Sequence, residues 1–71
     1  MKNNVNLKRL VYELNRTLGI TSDIERDNLI RQHYNQGLIS YRQMYLLHNS
    51  VLNHEYIHDW FIQNYSENWE V

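Results

Sequence analysis

The chain has 71 residues, 42% of them apolar, no cysteine, no proline and a net charge of −1. A domain of that size buries only about 60% of its unfolded surface, and no disulfide can add to its stability. The composition therefore predicts one small domain over residues 1–71, and it excludes a deep interdomain cleft, a membrane span of about 18 apolar residues and a disordered chain.

Ten asparagines and six tyrosines stand beside a complete absence of alanine. Asn and Tyr have A/T-rich codons, and Ala, Pro and Gly have G/C-rich ones. The expected source is a low-G+C bacterium, one of its phages or a mobile element. Residues 1–6 are polar and lack the apolar core of a signal peptide. The expected location is the cytoplasm, the host's if the protein is phage-encoded.

Taken in order, the first helix is announced by Leu7, Leu10, Val11, Leu14 and Leu18 at three-and-four spacing, with Gly19 beyond its end. Ser22-Asp23-Ile24-Glu25 opens a second helix as a capping box. Asp23, Glu25 and Asp27 suit the positive end of its dipole. That helix is expected to run to about Gln36, with Leu29, Ile30, His33 and Tyr34 on its apolar face. Ser40 and Gln43 form another capping box. The third helix then carries Tyr41, Met44, Tyr45, Leu47, His48, Val51 and Leu52 on one broad face.

Glu55 and Asp59 interrupt that face. The break predicts a turn near residues 49–53, with Asn53 capping a fourth helix. One bent helix over about 41–66 is the alternative. On a fourth helix His54, Ile57, His58, Phe61, Tyr65 and Trp69 would make one stripe. The fold class is all-α, a compact antiparallel bundle of three or four short helices.

The eight residues from Gly37 to Met44 resemble the G-x-I-[ST]-x-x-E-F phrase of short bacterial SHOCT-type hairpins. The resemblance implies a tight helical corner and no chemistry. His54-Glu55-Tyr56-Ile57-His58 is similar to the H-E-x-x-H motif of zinc peptidases. That resemblance would make His54 and His58 metal ligands and Glu55 the general base. Against it, Phe61 and Asn64 stand where the metzincin continuation has Gly and His, and thirteen residues follow His58. The expectation is no enzyme, no cofactor and no metal. A small zinc-binding protein using His54 and His58 is one alternative. Without a metal, all four histidines are expected to edge the core, partly buried. Buried histidines resist protonation, so mild acid is the expected weak point. Ser22, Ser40 and Ser50 sit at caps or a turn, and no nucleophile constellation is readable.

Surface pattern points to binding. Residues 1–20 carry net +3, residues 21–42 balance, and residues 43–71 carry net −4. Lys8, Arg9, Tyr12 and Arg16 cluster opposite the leucine stripe, and Tyr56 and Trp60 lie four apart on the last helix, away from its stripe. Tyr, Trp and Arg most often dominate protein interfaces. The expected function is a non-enzymatic protein-binding module, an inhibitor or modulator of a larger host or phage protein. Packing of Tyr56 and Trp60 inside the chain competes with this. Nucleic-acid binding through a helix-turn-helix at Gly37 is the other alternative. His33 and Gln43 fit that motif poorly, and the net charge lacks the usual positive excess. Near-neutral charge and oppositely charged ends also predict a homodimer, with the basic first helix near the acidic last one.

Overall fold

Helix ends are set by a few side chains and backbone bonds. The computed structural model describes residues 5–65. Among them are α1 (Val5–Arg16), α2 (Asp23–Asn35), α3 (Tyr41–Leu52) and α4 (Asp59–Tyr65), with no strand. The all-α expectation holds, with four helices.

Both capping serines act at their helix starts. Ser22 Oγ accepts from the Glu25 N–H at 3.2 Å, but the Glu25 side chain makes no return bond, so the expected box is half formed. Ser40 and Gln43 make the reciprocal box: the Gln43 N–H donates to Ser40 Oγ at 3.1 Å, and the Ser40 N–H donates to Gln43 Oε1 at 2.9 Å. Each satisfies donors that the first helical turn leaves open.

Two helices stop in the same way. After α2, the Leu38 N–H bonds the His33 carbonyl and the Gly37 N–H bonds the Tyr34 carbonyl, at 2.9 and 3.0 Å. Gly37 has a φ of 77°, the left-handed residue of a Schellman stop. After α3 the pair is Glu55 N–H to Ser50 carbonyl and His54 N–H to Val51 carbonyl, both 2.9 Å. Here His54 takes the left-handed position, at φ 57°. Asparagine and glycine usually fill it, so a histidine there gives no sequence signal.

That stop corrects the expected boundary. α3 runs through residues 49–52, and Asn53 closes it instead of opening α4. Residues 55–58 are not helical, and α4 begins at Asp59. Neither the long bent helix nor a helix capped by Asn53 forms. α1 likewise ends at Arg16, so Leu18 lies in the following turn, half-buried.

The core gathers Leu7, Leu10, Val11 and Leu14 from α1, Ile30 from α2, Met44, Leu47 and Val51 from α3, and Phe61 from α4. Ile39 and Ile57 enter it from the connecting segments. A fully buried side chain of this kind contributes about 1.5–3 kcal/mol. Among the described residues, α2 and α3 pack together over the most residues. The broad face expected of α3 is narrower in fact: Tyr41, Tyr45 and Leu52 are exposed. Tyr34 meets Tyr41 edge-on, and Tyr41 stacks with Tyr45, all on the outside.

Two polar side chains are buried instead, Arg26 and Gln43. Arg26 Nη2 donates to the Leu14 carbonyl at 2.6 Å, and Nη1 donates to Asp23 Oδ1 at 2.9 Å. It ties the start of α2 to the end of α1. Gln43 Nε2 donates to the Tyr65 carbonyl, linking the start of α3 to the end of α4.

Candidate functional site

The outer face of α1 meets the segment before and within α4. Asn15 makes the join. Its Nδ2 donates to the Ile57 carbonyl and its Oδ1 accepts from the Ile57 N–H, both at 2.8 Å. The side-chain amide thus satisfies both backbone groups of a non-helical residue, as a neighbouring strand would. Ile57 is then held with its side chain in the core.

Beside this clamp lies an open groove of about 530 Å³. Lys8, Val11, Tyr12 and Asn15 form one wall, and Tyr56, Asp59, Ile62 and Gln63 the other. Tyr12 is 67% exposed and Tyr56 55% exposed. Val11 is buried and Ile62 half-buried, which gives the groove an apolar base. Aromatic rings with polar tips beside an apolar floor can bury large area and still hydrogen-bond.

The groove unites Lys8, Tyr12 and Tyr56, three of the residues expected to bind a partner. Arg9, Arg16 and Trp60 do not line it. Arg16 instead pairs with Glu13 one turn back along α1. Trp60, 53% exposed, lies near the rings of Phe61 and Tyr65, at centroid distances of 6.2 and 6.0 Å. Tyr56 precedes α4, so it and Trp60 do not share one helix face as the spacing implied. Its ring meets His58 at 4.9 Å.

The HEYIH segment is also placed differently. H-E-x-x-H needs one helical turn to bring both imidazoles to a metal. Here residues 54–58 are outside any helix. His54 and His58 are exposed, not at the edge of the core. His54 Nδ1 lies 3.3 Å from Asp23 Oδ2. Among the described residues no three His, Asp or Glu side chains gather as a metal site. Trp69, the last member of the expected stripe, lies outside the described residues.

The other two histidines are half-buried and bonded. His33 Nδ1 lies 2.9 Å from the Leu29 carbonyl, and His48 Nδ1 lies 2.7 Å from Asp27 Oδ1. Asp27 also accepts from Arg31 Nε at 2.9 Å. Burial pushes the Asp27 carboxyl up, but hydrogen bonds and charge from His48 and Arg31 outweigh it and hold the pKa below the ordinary value. At Asp23 the bond from Arg26 lowers the pKa most, burial opposes it, and His54 lowers it further. Depressed carboxylates stabilise the fold above their unfolded pKa and lose that contribution as pH falls through the folded one. Stability is therefore expected to hold to about pH 5 and to fall below about pH 4, where carboxylates protonate. Thermal melts across pH 3–7 check this (Asp27→Asn flattens the acid limb). A loss already complete above about pH 5 would show that these carboxylates do not set the acid limit.

Sequence reasoning missed Asn15 and Arg26, and it read Gln43 as a cap without its burial or its bond to the Tyr65 carbonyl. Arg26 had a signal, since it sits four residues before Ile30 on the same helical face. Asn15 had none, because its partner is a backbone 42 residues away. Compared with known proteins, the chain matches no family model, no curated protein and no solved structure.

Proposed function

We propose that this chain is a non-enzymatic protein-binding module that uses the groove between α1 and residues 56–63. The observation that carries the reading is the pair of exposed tyrosines, Tyr12 and Tyr56, flanking an apolar base with one charge of each sign. Tyrosine anchors of this kind supply much of the binding energy in many protein interfaces. The module acts by occupying the surface of a larger protein, as an inhibitor or modulator does. The asparagine-rich, alanine-free composition supports a phage or mobile-element source, with action in the host cytoplasm. No helix among the described residues is long and apolar enough to cross a membrane.

Affinity purification from the host, with and without nuclease, tests the reading. A protein partner that survives nuclease, and is lost with Tyr12→Ala while melting stays unchanged, is the expected result. Tyr12 is exposed, so its truncation should shift stability by no more than about 0.5 kcal/mol. Loss of every partner on nuclease treatment would transfer the function to nucleic-acid binding.

A further inference from the structure

The groove carries two charges that no ion pair occupies, though Asp59 also suits the first turn of α4. Lys8 stands on its α1 wall and Asp59 on the facing wall, both exposed. Neither forms an ion pair among the described residues. Elsewhere, Glu13 pairs with Arg16 and Asp27 with Arg31. A face with one unpaired charge of each sign on opposite walls is its own electrostatic complement. A two-fold rotation can set Lys8 against the partner's Asp59, and Asp59 against the partner's Lys8.

We propose that a second copy of this chain occupies the groove in the free protein, as a two-fold dimer that a larger partner must displace. The inference rests on the reading of the groove as a protein-binding surface. The dimer covers Tyr12 and Tyr56 of both copies, four half-exposed rings in all, together with the apolar base at Val11 and Ile62. Ring burial supplies the area, and the two charge pairs fix the register. A net charge of −1 leaves little repulsion between copies.

Charge reversal gives a direct test. In sedimentation equilibrium at micromolar concentration, the wild-type chain is expected to be a dimer. Lys8→Glu puts two acids together at each of two symmetric contacts, and Asp59→Lys puts two bases together. Each variant alone should associate about a hundredfold more weakly, since like charges facing across an interface cost several kcal/mol. An equimolar mixture of the two variants should recover a dimer, because both contacts are then between opposite charges. No contact within a single chain can produce that recovery. Circular dichroism melts of both variants check folding, since Asp59→Lys also removes the acid from the first turn of α4.

A monomeric wild type, a variant that stays dimeric, or a mixture that stays monomeric would each overturn the proposal. The protein-binding reading fails separately. A monomer that still captures a protein through Tyr12 ends self-docking alone, whereas a dimer with no nuclease-resistant partner ends the reading of a larger target alone.

Discussion

Phe61→Ala is expected to lower the unfolding free energy by about 3–5 kcal/mol, the usual cost of deleting a buried phenylalanine. Phe61 is 4% exposed and is the one fully buried side chain of α4. Its ring packs on Tyr65 at 4.8 Å, and it joins the cluster that holds Leu10, Leu14 and Leu47. α4 is only seven residues long, too short to persist without that anchor. Its loss should also release the Gln43 bond to the Tyr65 carbonyl. Total stability in small domains is only about 5–15 kcal/mol, so the variant loses a large share of it. Trp60→Ala, one residue away, is expected to cost about 1 kcal/mol or less, because half the ring is already in water. Paired circular dichroism melts decide between them. If both variants melt equally early, Trp60 belongs to the core and the boundary drawn between core and surface on α4 is wrong.

The contrast shows how much of this fold the sequence carried. Periodicity located the buried face of α1 and the inward positions Met44, Leu47 and Val51, because one-sided burial at 3.6 residues per turn leaves a local pattern. Ser22 and Ser40 were readable because capping is a local interaction. Ile57 and Phe61 emerged as core for a reason that was partly wrong. Four-residue spacing suggested one helix, but Ile57 is inward because Asn15 holds its backbone. The segment from His54 to His58 was misread as helical because its helix stop is a histidine in a conformation that glycine usually takes. Of the groove, the residues Lys8, Tyr12 and Tyr56 were legible as exposed aromatic and basic positions. Their meeting was not, since it depends on where the chain turns after α3. Asp59 was read only as an interruption of an apolar face.

Arg26 carries the second large effect. Arg26→Ala is expected to destabilise the fold by about 2–4 kcal/mol, through lost charge-assisted hydrogen bonds and an empty volume in the core. The guanidinium reaches a carbonyl in the last turn of α1, where carbonyls lack helical partners and the dipole is negative. Without it, the Leu14 carbonyl keeps a 3.3 Å contact from the Thr17 hydroxyl. Asp23 is a third exposed, so water can take over its share. Arg26 Nε is buried with no acceptor, which means the native arrangement already contains one unsatisfied donor. Arg26→Met keeps most of the stem's volume and removes that donor. It should therefore melt above Arg26→Ala, because the methionine side chain fills volume that alanine leaves empty. Arg26→Lys should fall between wild type and alanine, because one ammonium cannot reproduce the fork to two acceptors on different elements. Urea melts of the three variants measure the order. If alanine and methionine are equally destabilised, the hydrogen bonds to Leu14 and Asp23 dominate; if alanine melts like wild type, Arg26 does not clamp α1 to α2 at all.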